Sequence, residues 1–270
     1  MAIDAKTVMK LRSRTGLGMM ECKAALEATG GDEEAAIAKL RAELGAKMDE
    51  RSGRAASEGT VAVATKGNSV ALIVLTSETD FAAKNDTFRG AAAKIAEFAL
   101  AGPDGDLTAA PAAGQALIDN LRITIKENIS FGKGVKLTAP RVGSYVHHNG
   151  KVGVVIAGEG DLSDDLLKGL CQHLVAADGK GQWPAPLAID AAGIPADKLA
   201  EAKAAALAEA AASGKPEAIQ PKIAEGKLRK WSDDNTLLGQ IYIREMDAKK
   251  PVRDYIPKGA KITAFKRFEL

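Results

Sequence analysis

The sequence predicts an α+β chain: a small helical module, then two related units of strands and helices with antiparallel sheets, the second carrying a helical hairpin. Three observations lead there. Residues 4–45 place apolar side chains at helical spacing between glycine breaks. After residue 58 the pattern changes to strand, Gly/Asn turn, strand. That second pattern then returns about 84 residues later.

In the first segment Val8 and Leu11 define one apolar helix face, and Thr15-Gly16-Leu17-Gly18 ends it, since glycine tolerates the positive φ of a helix terminus. A second helix carries Met19, Met20, Cys22, Lys23, Ala25 and Leu26 and stops at Gly30-Gly31. Asp32 reads as the N-cap of a third, with Glu33 and Glu34 in the first turn, where the helix dipole favours them, and Ala36, Ile37, Leu40 and Leu44 on its buried face. Residues 46–58 are charged and small and read as a linker or a surface helix. Thr60–Thr65, the turn Lys66-Gly67-Asn68 and Val70–Leu75 predict a hairpin, followed by a helix with Phe88, Ala92, Ile95 and Phe98 on one side. Gly102-Pro103 stops that helix, and 116–129 reads as another.

The stretch 143–156 lays over 59–73, strand upon strand, and a helix with Leu166, Leu167, Leu170, Cys171 and Leu174 follows, capped by Ser163. Residues 196–212 are an Ala-rich helix former, ended by Gly214-Lys215-Pro216, and a further helix runs to about Trp231. Strands are expected at Ile241–Ile243 and Lys261–Phe265. The domain boundaries expected are 1–52, 53–140 and 141–270, with the helical insertion over about 180–231.

Composition narrows the function classes. A net charge of +2 over 270 residues is too small for a protein whose affinity rests on many phosphate contacts. The surplus of positive charge over residues 215–270 reads as a solvated surface. Cys22 and Cys171 stand far apart, with no CxxC spacing, which fits a reducing cytoplasmic setting without disulfides. The start of the chain gains charges before any apolar run forms, so no signal peptide is expected. The longest strongly apolar stretch is about six residues, so no membrane span is expected. There is no P-loop, no GxGxxG after a strand, no GxSxG and no HExxH. No catalytic residue, no metal site and no cofactor is expected, and the chain is not read as an enzyme.

The candidates that remain are partner-binding residues. Thr79, Asp80, Phe81 and Ala82 follow a buried strand, so a sheet holds the loop they form. The ring of Phe81 either anchors in the core or is aimed at a partner. Met19 and Met20 lie about 100° apart around a helix and do not face the core equally. Either one is exposed as adaptable contact surface, or both line the core. Arg12 and Lys23 are rim charges of that surface or simply solvated. His147 and His148 are adjacent on an expected strand, so their rings point to opposite faces and do not share a metal; His147 is a contact residue or only a strand residue.

Several segments together resemble the elongation factor Ts family, bacterial guanine-nucleotide exchange factors for elongation factor Tu. Leu11-Arg-Ser-Arg-Thr-Gly-Leu-Gly-Met-Met-Glu-Cys-Lys-Ala-Ala-Leu26 is similar to the family's N-terminal signature. Thr79-Asp-Phe-Ala-Ala-Lys84 resembles its Thr-Asp-Phe-Val-Ala-Lys segment, Glu127-Asn128 its Glu-Asn pair and Gly143-Ser-Tyr-Val-His147 its Gly-Ser-Tyr-x-His segment. Ser213–Pro216, Glu225–Lys227 and Arg267–Glu269 also fit.

The resemblance implies a UBA-like N-terminal three-helix domain and a core of two related α+β subdomains. In some members a helical hairpin in the second serves a homodimer. It implies that Thr79, Asp80, Phe81 and Ala82 enter the GTPase domain of elongation factor Tu and dislocate its Mg²⁺. Phe81 would be the wedge and Asp80 the contact to the displaced segment. Arg12, Met19, Met20 and Lys23 would dock on the same domain, with His147 contributing from the second subdomain. Neither nucleic acid nor membrane is an expected partner.

Ala82 stands where the family usually has Val, and Lys126 where a small residue is common. The chain's end one residue after Arg-Phe-Glu predicts that a helical C-terminal module of some members is absent. Two rival classes are an interaction adaptor of UBA type using residues 15–20, and an enzyme with an unrecognised site at Asp80.

Overall fold

A computed structural model describes residues 3–51, 53–180 and 183–270. Parts of the 46–58 and 179–195 stretches therefore lie outside the described residues. The chain divides into two compact units, one of residues 1–64, 71–136 and 269–270, the other of residues 65–70 and 137–268.

The first unit begins with three helices, α1 (Ala5–Thr15), α2 (Met19–Ala28) and α3 (Glu33–Asp49). Gly16 turns the chain after α1 at φ 70°, and its N–H returns to the carbonyl of Arg12. Asp32 Oδ1 accepts from the N–H of Ala35 at 3.0 Å, the expected cap of α3. Val8, Leu11, Leu17, Cys22, Leu26, Ile37 and Leu40 close on one another as the core of this module. Of the two alternatives for residues 46–58, helix holds for the first part, since α3 runs on to Asp49.

A four-stranded sheet follows, in the order β1-β2-β4-β3. Strands β1 (Glu58–Lys66) and β2 (Ser69–Ser77) are the expected hairpin. Next come α4 (Asp80–Lys84), α5 (Asp86–Ala99), β3 (Gly105–Leu107), α6 (Ala112–Ile125) and β4 (Ser130–Thr138). Strands β3 and β4 pair antiparallel, with Gly105 opposite Lys136. Ile73 and Leu75 of β2 bury against Phe88 and Ile95 of α5 and Ile118 and Leu121 of α6. Each such fully buried side chain contributes about 1.5–3 kcal/mol.

Strand β4 has no counterpart among the elements expected from sequence, because Gly132 and Gly134 interrupt any alternation. The fold explains them: a Cβ at Gly132 would sit 3.3 Å from side-chain atoms of Val74 and Thr76, and one at Gly134 2.9 Å from the ring of Phe131. A second difference lies at residues 79–84, expected as a loop. They form the short helix α4, because the hydroxyl of Thr79 accepts from the N–H of Ala82 at 3.2 Å and caps it.

The second unit repeats hairpin and helix. Strands β5 (Arg141–Val146), β6 (Val152–Glu159) and β7 (Lys261–Glu269) form a three-stranded sheet in that order. β5 and β6 pair antiparallel, with Arg141 opposite Gly158 and Val146 opposite Gly153. Helix α7 (Asp164–Ala176) packs Leu167, Leu170 and Leu174 onto Val154 and Ile156, and Ser163 caps it as expected, its Oγ accepting from the N–H of Leu166. Helices α8 (Ala196–Ala211) and α9 (Gln220–Asp234) make the inserted hairpin, closed through Ala206, Ala210 and Ala224.

The strand expected at Ile241–Ile243 does not form. Ile241 makes a single bridge to Pro251, and a 3₁₀ turn, Ile243–Ala248, follows. Pro251 has no N–H with which to extend a ladder. Tyr242 is instead buried beneath α7, where Gly169 makes room: a Cβ there would lie 1.9 Å from the Tyr242 hydroxyl.

His173 of α7 is buried in the same region. Its Nε2 lies 2.9 Å from Gln240 Oε1, and its Nδ1 accepts from the N–H of Ile243 at 3.3 Å. The ring is thus neutral, with the proton on Nε2. Burial holds its pKa below the ordinary 6.5. Above that value the ring is neutral folded and unfolded. As pH falls from there towards the folded-state pKa, the unfolded chain takes up the proton more readily and stability is lost. Denaturation midpoints measured at about pH 7.5 and about pH 5.5 are expected to fall at the lower pH, and less so in His173→Gln.

Candidate partner-binding surface

Strand β2 is buried almost throughout, and the chain leaves it at Ser77, whose hydroxyl donates to the carbonyl of Thr79 at 3.0 Å. Thr79 then caps α4. Within α4 the side chains sort by direction: Ala82 and Ala83 are buried, while Phe81 is 83% exposed. Asp80 Oδ2 accepts from Lys84 Nζ at 2.6 Å, one turn on. That bond is the main reason its carboxyl stays below the ordinary carboxylate range. The helix ends at Asn85, whose Oδ1 accepts from the N–H of Thr87 at 2.8 Å to start α5. Phe88, seven residues after Phe81, is fully buried. The core-anchor alternative thus describes Phe88 and not Phe81.

The second cluster sits at the corner between α1 and α2. Leu17 turns inward and is buried; Met19 and Met20 are 42% and 76% exposed. Both methionines therefore lie outside the core. Glu21 Oε2 accepts from the N–H of Gly18 at 3.0 Å, closing the corner. Its other oxygen accepts from Lys126 Nζ at 2.9 Å, and this bond, before that of Gly18, lowers its pKa. Arg12 is exposed, and exposed Lys23 lies 3.8 Å from Glu27 on the same helix.

Lys126 holds the left-handed position after α6, φ 64°, a conformation that glycine, lacking a Cβ, adopts with less strain. Here it bonds Glu21 through its side chain and accepts from Arg51 Nη1 at 2.7 Å through its carbonyl. The next residue, Glu127, bonds Thr79. Adjacent residues of one segment thus hold both the methionine corner and the Phe81 turn.

His147 belongs to the other unit. The expectation that the two histidine rings point apart does not hold, because β5 ends at Val146 and the chain turns: His147 N–H donates to Val152 O, and Gly150 N–H to His147 O, each at 2.8 Å. Half-buried His147 and exposed His148 lie with ring centroids 4.1 Å apart, and Tyr145 meets His147 edge-on at 6.3 Å. Among the described residues no group of three or more His, Cys, Asp or Glu is placed to hold a metal ion. None of their helices is long and apolar enough to cross a membrane.

The family model described as Elongation factor TS matches residues 78–270. The chain belongs to the elongation factor Ts family. It is 39% identical over 277 residues to Elongation factor Ts of Psychrobacter sp. (strain PRwf-1), covering 99% of this chain and 91% of that protein. It is 37% identical over 295 residues to Elongation factor Ts of Brucella ovis, covering all of this chain and 93% of that one. The family match opens at Glu78, one residue before the cap of α4, whereas these relatives also span the methionine corner. Membership in the elongation factor Ts family supports a role in translation elongation as a nucleotide-exchange factor.

Two residues that matter to this surface were not singled out as candidates from sequence. Glu78 and Arg54 pair beside the Phe81 turn, at 3.3 Å. An Arg and a Glu separated by 24 positions give no local pattern. Their proximity follows only from strand pairing.

Proposed function

We propose that this chain is the guanine-nucleotide exchange factor of elongation factor Tu, and that it acts by pressing Phe81 between two helices of the GDP-bound GTPase. The observation behind this is a phenylalanine left 83% exposed on a capped, well-seated turn. Aromatic residues, Phe among them, are enriched at protein–protein interfaces relative to the rest of the surface.

A GTPase holds its nucleotide through backbone amides and a Mg²⁺ ion bridging protein and phosphates. Mg²⁺ demands near-ideal octahedral geometry, so a small displacement of its ligands releases it. In this scheme Phe81 displaces the segment carrying those ligands, Asp80 contacts the displaced segment, and Thr79 and Ala82 complete the intruding turn. Arg12, Met19, Met20 and Lys23 dock on the same domain, the methionines adapting to its shape. His147 contacts the GTPase from the second unit. No bond is made or broken: GDP leaves, and GTP, binding in its place, expels the factor by reciprocal coupling. The setting is the cytoplasm, and the exchange needs no cofactor on this chain.

Release of a fluorescent GDP from cognate elongation factor Tu is the direct test. Micromolar concentrations of this protein should accelerate release; an unchanged rate would sink the proposal.

A further inference from the structure

The turn that displays Phe81 is held by a residue 48 positions away. Glu127 accepts twice from Thr79: Oε2 from its backbone N–H at 3.0 Å, and Oε1 from its hydroxyl at 2.6 Å. The same hydroxyl oxygen accepts from the N–H of Ala82 to cap α4. A hydroxyl has one hydrogen, and the carboxylate, which only accepts, fixes where that hydrogen points. The lone pair left over is then the one the cap uses. Capping and clasping are therefore a single arrangement.

A second clasp runs the other way. Glu78 Oε1 accepts from the N–H of Asn128 at 2.6 Å, and this bond is the main reason its carboxyl sits below the ordinary range. Asn128 is buried, and its Nδ2 donates to the carbonyl of Arg54 at 2.7 Å. Segments 78–79 and 127–128 thus exchange acid-to-amide bonds crosswise. One such bond would leave the turn free to swivel about it, whereas two crossed bonds set both its place and its direction. Both are charge-assisted, and Glu78 is largely shielded from water, so they belong to the stronger class of hydrogen bond. The turn has need of them: α4 is five residues long, too short to persist as a helix alone.

We propose that Glu127 is the positioning residue of the exchange reaction. It touches neither nucleotide nor partner; it acts through Thr79, holding Phe81 in its displayed direction before any GTPase arrives. The free-energy loss of ordering the turn as Phe81 inserts into the already docked GTPase is thereby removed in advance, so it falls on the rate and not on docking. This rests on the exchange function proposed above.

The test titrates elongation factor Tu loaded with fluorescent GDP against wild type, Glu127→Ala, Glu127→Gln and Thr79→Val, and follows amide hydrogen exchange of each factor alone. In Glu127→Ala the maximal release rate should fall about tenfold, and the half-saturating concentration should change less than about threefold, because the docking residues are untouched. Glu127→Gln keeps an acceptor for the Thr79 N–H and should recover most of the rate. Amide protection should be lost at residues 79–82 and kept in β2. Should Glu127→Ala fail to fold, Thr79→Val reads the same clasp from its other end and must show the same loss of rate. Wild-type rates in Thr79→Val or Glu127→Ala overturn the proposal, as does a rate lost with protection at 79–82 intact. A wild-type protein that releases no GDP overturns the exchange function and this inference with it. That failure is distinguishable, since hydrogen exchange still reports the clasp.

Discussion

Phe81→Ala lowers the maximal rate of GDP release at least about tenfold and leaves the melting temperature within about a degree of wild type. Tenfold corresponds to about 1.4 kcal/mol, the lower range for an aromatic anchor at an interface. The second half of the expectation follows from burial. The ring is 83% exposed, so truncating it opens no cavity and removes no core contact of the size that makes buried Phe→Ala changes cost about 3–5 kcal/mol. The backbone of α4 is held by Thr79, Ala82 and Ala83, none of which depends on the ring. Stopped-flow release and a thermal melt on one preparation check both halves. Phe88→Ala is the opposite case: it empties a fully buried site between β2 and α5 and should unfold the protein at much lower temperature. If Phe81→Ala melts as early as Phe88→Ala does, the ring is structural after all.

Gly59→Ala should be among the most damaging single-methyl additions in the first unit. Gly59 lies in β1 at φ 152°, where side chains are rarely tolerated, and an added Cβ would stand 2.2 Å from the carbonyl oxygen of Leu75 and 2.9 Å from the Cα of Thr76. Both neighbours are backbone, so no side chain can swing aside; β1 must shift away from β2. Strain of this kind plus overpacking costs about 3 kcal/mol or more. That lowers the melting temperature by roughly 6–12 °C for a chain of this size. Exchange should fall as well, because Leu75 and Thr76 lead directly into the Thr79 turn. Gly90→Ala is the control. It sits in α5 with nothing within 4 Å of the new methyl, and there Ala should stabilise by about 0.5–1 kcal/mol. Equal melting temperatures for the two variants would contradict this account.

The pattern of glycine and apolar residues made the helical module, both hairpins and the inserted helices legible, because each is specified by neighbours within a few positions. Strand β4 was not legible, since its glycines answer to crowding from Val74, Thr76 and Phe131, which are distant or indifferent in sequence. Phe81 and Phe88 are the same residue type seven positions apart; only the break at Asn85, with its side chain starting a new helix, sends one ring out and the other in. The Glu127-Asn128 pair was visible as a motif, but its partners Thr79 and Glu78 were not, because crosswise bonding between two segments leaves no trace in either one alone.

The distribution of sulfur has a chemical consequence. Cys22 and Cys171 are fully buried, and burial pushes the Cys171 thiol up to about 12, far from the reactive thiolate. Met19 and Met20 stand open to water at the corner proposed for docking. An oxidant reaching this chain therefore meets thioethers there, with both thiols out of reach. Sulfoxide formation makes an apolar, adaptable side chain polar and is enzymatically reversible. Peroxide stress would then register as weakened docking on an intact fold, repaired by sulfoxide reduction and without refolding.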